Sequence, residues 1–304
     1  MASDGGFRCL VIGATGAQGG AVARLLAARG HETRGLIRSR EAAGRLPEGV
    51  EPVVGDLGDS AGLKAAFAGV THASVLLPMV YESETSASYV RNVADAALAA
   101  GVERLVFNTG NRVPEAVTGV AAFETRRTAA EALLASGVPT VVLRPPVYLD
   151  NLCAPWAAGP IVHDGVLSYP LPAETPVAWL GHADLAAATA AALTRDGLAG
   201  AVLDIGGGDV VTGPELAAAL GAGLGRRVEY VAQDPAEFEA GLAYAIGASP
   251  ATEVAAAYRW VAESGPALYG GGPAEVEERL GIRLTPLRDW IAAQPWPALA
   301  GQGR

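Results

Sequence analysis

The sequence predicts a doubly wound α/β fold with a mostly parallel sheet, and three observations lead to this prediction. Short apolar segments alternate with alanine-rich helical segments over the first half of the chain. Several apolar segments are hydrophobic almost throughout, as parallel strands buried on both faces must be. Strand and helix follow each other in βαβ order, which implies right-handed crossovers. We predict strands at Arg8–Ile12, Glu32–Ile37, Glu51–Val54, His72–Leu77, Arg104–Asn108 and Thr140–Arg144.

Amphipathic helices are predicted between these strands. Gln18–Arg29 carries apolar residues on one face and is followed by Gly30, a residue typical of helix ends. Ser88–Ala100 shows the same helical spacing and stops at Gly101. Both helices would cover a face of the sheet.

The composition changes after residue 145. Residues 145–181 contain many prolines and aromatic side chains, which favours a covering segment over a further βα unit. We expect the helix His182–Thr194 and the strand Ala201–Ile205 to return to the main sheet. Residues 1–150, with 182–206, are therefore predicted as the main domain, and 151–181 with 207–304 as a smaller, discontinuous α+β part. In this part we predict a strand at Arg227–Val231 and helices near Pro214–Leu224, Pro235–Ala245 and Thr252–Glu263.

Composition excludes several classes of protein. Of 304 residues, 50% are hydrophobic and 18% charged, which argues against disorder, and the net charge of −10 argues against a nucleic-acid-binding surface. No apolar run reaches the roughly 18 residues of a membrane span, and Met1–Phe7 lacks signal-peptide features. Cys9, Cys153 and the four histidines show no metal-ligand spacing. We expect a cytoplasmic protein that contains no metal.

The chain contains a single lysine, Lys64, among 22 basic residues. Any mechanism that needs a positioned lysine must use this residue. Lys64 falls in the helix predicted after the third strand, and this placement limits the chemistry considered below.

A glycine-rich turn joins the first strand to the first helix. Gly13-Ala-Thr15-Gly16-Ala17-Gln18-Gly19 has the spacing G-x-x-G-x-x-G. Glycines allow a tight turn and a close backbone approach, and the N-terminus of the helix attracts a pyrophosphate. In this strand–turn–helix context the turn predicts dinucleotide binding by a Rossmann-type sheet.

The end of the second strand favours NADP over NAD. Arg38 follows Leu36-Ile37 where an NAD site usually offers a carboxylate to the ribose. A guanidinium can instead bind a 2′-phosphate. Asp56, after the third strand, is placed to accept a hydrogen bond from the adenine amino group. Its alternative role, capping the next helix, stays open.

Six motifs of the chain carry a resemblance to a known family. They are the glycine turn, Leu36-Ile-Arg38, Gly55-Asp56-Leu57, Glu131-Ala-Leu-Leu-Ala-Ser-Gly137, Leu143-Arg144-Pro145 and Tyr148-Leu-Asp-Asn151. Together they resemble the NmrA-like proteins, an atypical branch of the short-chain dehydrogenase/reductase superfamily. The resemblance implies an NADP-binding Rossmann domain and a smaller part that forms a cleft over the nicotinamide. It also implies either an NAD(P)H-dependent reductase, for example of quinones, or a redox sensor that binds the cofactor without turnover.

The chain departs from the superfamily at its catalytic pair. The parent superfamily uses Tyr-x-x-x-Lys on the helix after the fifth strand, with the tyrosine as general acid. Aligned through Glu131, these positions read Phe123 and Arg127. Phe123 has no proton to give, and an arginine does not shuttle protons. The usual proton relay is therefore absent.

Three residues remain as candidate catalytic groups. Tyr148 is the first candidate for a proton donor, and its alternative role, a structural tyrosine wedged between the two parts of the chain, stays open. Arg127 is a candidate for binding ribose or a developing oxyanion, and Thr109 for binding a substrate oxygen. The full set assigned to the cofactor is Gly13, Thr15, Gly16, Ala17, Gln18, Gly19, Arg38, Asp56, Leu57, Leu77, Pro78, Asn108, Thr109, Arg127, Pro145 and Tyr148.

The preferred function is an NADPH-dependent reductase of a small-to-medium apolar electrophile: a quinone, enone, ketone or imine. The alternative is a non-catalytic NADP(H) sensor that regulates a partner protein. Cofactor-assisted isomerisation ranks third, because no second acid or base is placed for it. The sequence leaves the substrate and the oligomeric state open.

Overall fold

A parallel sheet forms the centre of the molecule. The computed structural model describes residues 6–271 and 273–301, and in this part of the chain seven strands form one sheet in the order β3-β2-β1-β4-β5-β6-β8. All six strand pairs are parallel, which confirms the doubly wound α/β fold. The strands are β1 (Arg8–Ile12), β2 (Glu32–Ile37), β3 (Glu51–Val54), β4 (His72–Leu76), β5 (Arg104–Asn108), β6 (Thr140–Arg144) and β8 (Val202–Asp204), with β7 (Val166–Tyr169) and β9 (Glu229–Ala232) forming a separate parallel pair.

Helices cover both faces of the sheet and form most of the remaining chain. Helical turns of other types lie at Arg40–Arg45, Leu149–Cys153 and Pro160–Asp164. The α-helices are α1 (Ala17–Ala28), α2 (Ser60–Ala66), α3 (Ser83–Ala100), α4 (Ala121–Ala135), α5 (Pro155–Gly159), α6 (His182–Thr194), α7 (Gly213–Leu224), α8 (Pro235–Ile246), α9 (Ala248–Ser264), α10 (Pro273–Leu280), α11 (Leu287–Ala293) and α12 (Trp296–Gly301).

The predicted elements agree with the structure except at some ends. Helix α3 begins at Ser83 and not at Ser88, because the carboxylate of Glu82 accepts hydrogen bonds from the backbone N–H groups of Glu84 and Thr85. This cap adds a turn without apolar periodicity. Strand β7 was not predicted, and it pairs with β9 from 60 residues further along the chain.

Two hydrophobic cores lie on the two faces of the main sheet. On one face, α1 and α6 pack together and bury Val11, Leu26 and Leu185. On the other face, α2, α3 and α4 cover Leu10 and Phe107. Burial on both faces explains why the strand segments are apolar throughout.

A third core joins helix α4 to the smaller part of the chain, residues 151–181 and 207–304, which we call the covering part. Phe123 on α4 is fully buried and contacts the ring of Trp260 on α9 edge to face, with ring centroids 5.6 Å apart. Arg112, only 3% exposed, donates hydrogen bonds to the carbonyls of Ile205 and Leu268. These contacts hold the covering part over the carboxyl end of the sheet.

None of the described helices is long and apolar enough to cross a membrane.

Candidate functional site

A cavity of about 1100 Å³ opens at the carboxyl ends of the parallel strands. Segments that follow β1, β2, β3, β4, β5 and β6 line one part of it, and residues from β7, α8 and α9 line the other. Open α/β sheets bind ligands at this edge, where the strand order reverses. The sheet order places this reversal between β1 and β4.

The glycine turn is tight enough to require glycine at two positions. Gly13 has φ +90°, and the N–H of Gly16 donates to its carbonyl over 3.0 Å. A Cβ on Gly19 would lie 2.3 Å from the carbonyl oxygen of Gly13, a distance that no side chain tolerates. The first turn of α1 is therefore packed directly against the backbone of the loop.

The N-terminus of α1 is left open toward the cavity. Its N-cap, Gly16, supplies no side-chain hydrogen bond, and its first turn contains no acidic residue. The first N–H groups of a helix have no intrahelical partners, and together with the helix dipole they attract an anion. This arrangement fits a pyrophosphate.

Two arginines line the cavity beside this turn. Arg38, at the end of β2, is exposed there. Arg45 also lines the cavity, and its Nη2 donates to the carbonyl of Thr15 over 3.4 Å. The sequence did not single out Arg45, because the turn Arg40–Arg45 brings it back to the glycine loop only in the folded chain. Asp56 lines the cavity as well, and its Oδ1 accepts from the N–H of Gly58. The alternative role as cap of the next helix is wrong, because the N-cap of α2 is Asp59, whose side chain accepts from the N–H of Ala61.

Gln18 connects three segments at the base of the cavity. Its Oε1 accepts one hydrogen bond from Asn108 Nδ2 (3.0 Å) and another from Tyr148 Oη (2.9 Å). Burial raises the pKa of the Tyr148 phenol well above its usual value. The hydroxyl of Tyr148 therefore keeps its proton and donates it in the hydrogen bond to Gln18. This engagement argues against Tyr148 as the proton donor to a substrate.

The structure does not bring Arg127 to the cavity. Its guanidinium donates to the backbone carbonyls of Glu115 (2.9 Å) and Ala116 (2.6 Å) and pairs with Glu124 at 3.1 Å. Arg127 thus fastens the loop before α4, and its interactions explain its position without a ligand. The neighbouring Arg126 faces the cavity instead.

Thr109 lines the cavity, but its hydroxyl is used within the protein. Its Oγ1 lies 2.6 Å from the carbonyl of Asn111 and 3.2 Å from that of Leu143. The single hydroxyl proton of Thr109 is donated to these carbonyls. Thr109 therefore stabilises the loop after β5, and its hydroxyl has no second proton to donate to a substrate.

The cavity contains most of the predicted cofactor residues. Lys64 is exposed on α2 and does not line the cavity, which agrees with the absence of the lysine relay. Those that line it are Gly13, Thr15, Gly16, Gln18, Arg38, Asp56, Leu57, Leu77, Pro78, Thr109 and Tyr148, whereas Ala17, Gly19, Asn108, Arg127 and Pro145 do not. Gly19 packs against the backbone of Gly13 and Asn108 donates to Gln18, so both support residues of the lining, whereas Ala17 is exposed at the start of α1.

A pair of phenols lines the far end of the cavity. Tyr169 Oη and Tyr258 Oη are 2.7 Å apart, and Asn151 Nδ2 donates to Tyr169 Oη over 3.1 Å. Both rings are more than nine-tenths buried, and burial raises the pKa of Tyr169 to about 12. Sequence reasoning missed this pair because 89 residues separate its members.

In residues 6–271 and 273–301, no three His, Cys, Asp or Glu side chains come together as a metal site would require.

The fold, the open helix N-terminus and the glycine turn define a dinucleotide-binding protein of the Rossmann class. The chain belongs to the NmrA-like family, whose model matches residues 7–289.

Two curated relatives are similar over much of the chain. A (4-alkanoyl-5-oxo-2,5-dihydrofuran-3-yl)methyl phosphate reductase of Streptomyces griseus is 34% identical over 289 residues, which is 93% of this chain and 96% of the relative. An NAD(P)H azoreductase of Xenophilus azovorans is 32% identical over 228 residues, which is 73% of this chain and 76% of the relative.

A solved structure shows the same fold. The triphenylmethane reductase of Citrobacter sp., complexed with NADP(H), is 24% identical and superimposes with a TM-score of 0.74. The match covers 97% of this chain and 100% of the Citrobacter chain.

Replacing Gly19 by alanine tests the glycine turn. Because the new methyl group would displace the Gly13 carbonyl, we expect the affinity for NADPH to fall by about tenfold or more. Titration of NADPH fluorescence measures this change. Gly44→Ala is the control, since its Cβ would meet nothing within 4 Å. Equal affinities in the two variants would contradict the assignment of the turn.

Proposed function

We propose that this protein reduces a small-to-medium apolar electrophile, such as a quinone, enone, ketone or imine, with NADPH. The coarser statement, an NAD(P)H-dependent oxidoreductase, follows from its family and the reductases among its relatives. The observation that carries the finer proposal is the joining of the glycine turn and a largely apolar chamber in one cavity.

The chamber suits an apolar substrate. Beyond the glycine turn the lining is dominated by aliphatic and aromatic side chains, and ligand sites of this kind hold a few polar groups that orient the ligand. Bound NADPH would supply a hydride at the base of this chamber. The residues that line it include Val80, Ile161, Leu167, Phe238, Leu242, Ile246, Val254 and Ala257.

The names of the relatives support a conjugated electrophile. One relative is an azoreductase, and the substrate named for the other is an oxo-dihydrofuran that carries an alkanoyl group and a methyl phosphate. Both substrates contain an unsaturated centre to which a hydride can add. Quinones and conjugated carbonyl compounds depend less on a strong protein acid than simple ketones do, because the developing charge is delocalised.

Arg38 and Arg45 support NADP as the cofactor. Both guanidinium groups line the cavity on the β2 side of the glycine turn, where the adenosine ribose would lie. A 2′-phosphate in this position would accept hydrogen bonds from Arg38. Asp56 also lines the cavity, where a carboxylate would repel a phosphate. The arginines would therefore bind the 2′-phosphate, and Asp56 would contact the adenine or only the N–H of Gly58.

The phenol pair is better placed than Tyr148 to provide a proton. Two hydroxyl protons meet only one mutual hydrogen bond, so one of them has no acceptor among the described contacts of Tyr169 and Tyr258. We propose that this spare O–H donates to the substrate oxygen or nitrogen on which negative charge develops. The phenolate that results regains its proton from solvent.

Assays across an electrophile panel test the function. We expect oxidation of NADPH with 1,4-naphthoquinone and with an azo dye, and slower oxidation with simple ketones. Absorbance at the NADPH band measures the rate. Tight NADPH binding without turnover of any substrate would contradict the reductase and favour the sensor.

Substitution of Arg38 tests the choice of cofactor. In Arg38→Ala we expect the Kd for NADPH to rise about tenfold while the Kd for NADH changes little, because only NADPH carries the 2′-phosphate. Arg40→Ala is the matched control, since Arg40 is also exposed but does not line the cavity. A parallel rise for both cofactors would disprove the phosphate assignment.

Removal of the phenol hydroxyls tests the proton donor. We expect Tyr258→Phe and Tyr169→Phe to lower kcat by about 10²-fold with an enone. The NADPH Kd should stay constant, and the loss with a quinone should be smaller. Tyr244→Phe, on a ring that is 95% exposed, is the control. If all three variants keep the wild-type kcat, the pair does not deliver the proton.

A further inference from the structure

One buried cation faces the substrate chamber without an anionic partner. Arg126, on α4, is 5% exposed and lines the cavity. Its Nη2 donates to the carbonyl of Pro78 over 2.6 Å, and its guanidinium lies 5.3 Å from the centroid of the Tyr81 ring. None of the described carboxylates forms an ion pair with it. A buried charge in this state is costly unless a ligand compensates it.

The other arginines of the cavity belong to segments on the β2 side of the glycine turn. Arg38 follows β2, whereas Arg126 contacts the segment after β4, and β1 lies between these two strands. The adenosine end is therefore on one side of the glycine turn, and Arg126 is on the other side. Tyr81, which stands against its guanidinium, packs on the core of the covering part.

The charge of the lining also points to an anion. Three arginines and one aspartate line the cavity of a chain whose net charge is −10, and the aspartate is at the adenosine end. A guanidinium with free N–H donors at a chamber wall matches a carboxylate, phosphate or sulfonate in geometry. Uncharged ribose hydroxyls would not compensate its charge.

We infer that the substrate carries an anionic group that Arg126 binds, while its apolar body fills the chamber. This inference rests on the proposed reductase function, because it names the charge of the substrate of the same cavity. Arg126 then sets specificity: it selects anionic electrophiles over neutral analogues of equal size. Arg126 also orients these substrates, because it holds their anionic group at one wall of the chamber and the electrophilic centre then faces the nicotinamide.

Binding of two unreactive probes tests the inference apart from catalysis. The probes are 2-naphthoate, an anion, and 2-naphthamide, its neutral analogue, titrated calorimetrically into protein saturated with NADP⁺. We expect wild type to bind the anion at least about tenfold more tightly. Arg126→Gln should remove this preference and Arg126→Lys should keep part of it. Arg91→Gln, which loses an exposed arginine outside the cavity, should keep all of it.

Each other result overturns the inference. The first is a wild type that shows no preference or binds neither probe at millimolar concentration, and this outcome needs no variant to fold. The second is an Arg126→Gln variant that keeps the preference. The third is a variant that keeps the preference but binds NADP⁺ tenfold more weakly, in which case Arg126 serves the cofactor. Failure of the proposed function would appear separately, as absence of NADPH oxidation in the electrophile panel.

Discussion

The hydrogen bonds to Gln18 Oε1 fix the base of the site, and the other parts of the site are arranged around them. One acceptor atom on α1 receives Asn108 from the end of β5 and Tyr148 from the segment after β6. The glycine turn, the central strand end and the start of the covering segment are thereby held in one geometry. Asn108 and Tyr148 are buried and Gln18 is half-buried. A buried polar group must be satisfied, so separating these segments costs about 1–3 kcal/mol for each lost partner.

The register of helix α4 determines which charged group reaches the chamber. Phe123 and Arg127 share a face, as their spacing predicts, but this face packs on Trp260 and on the loop before α4. Ala122 and Arg126 precede Phe123 and Arg127 by one position each, which places them about 100° around the helix. Both of these residues line the cavity. Arg126 therefore places a cation in the chamber, but the tyrosine that accompanies the catalytic lysine in the parent superfamily is missing. For the proposed reduction, another group has to donate the proton to the substrate.

Polar groups in the chamber come from segments distant in the chain. Asn151 follows β6, Tyr169 ends β7 and Tyr258 lies on α9, yet they form one hydrogen-bonded chain. The parallel pairing of β7 with β9 sets Tyr169 in this place, and Tyr230 on β9 supports the turn after it by donating to the carbonyl of Leu171. Desolvation raises the pKa of both phenols, Tyr169 and Tyr258, so both keep their protons at neutral pH and can donate hydrogen bonds.

The sequence by itself determined the parallel sheet, the glycine turn and the lack of a lysine relay. These features depend on local patterns, namely apolar runs, the spacing of glycines and the position of Lys64, which neighbouring residues alone define. Only the tertiary structure decided that Arg126 and not Arg127 faces the chamber, that Arg45 returns to the glycine turn, and that Tyr169 meets Tyr258. Each of these depends on helix rotation or on pairing across long separations, which are set by the packing of the whole core and leave no periodic signal in the chain.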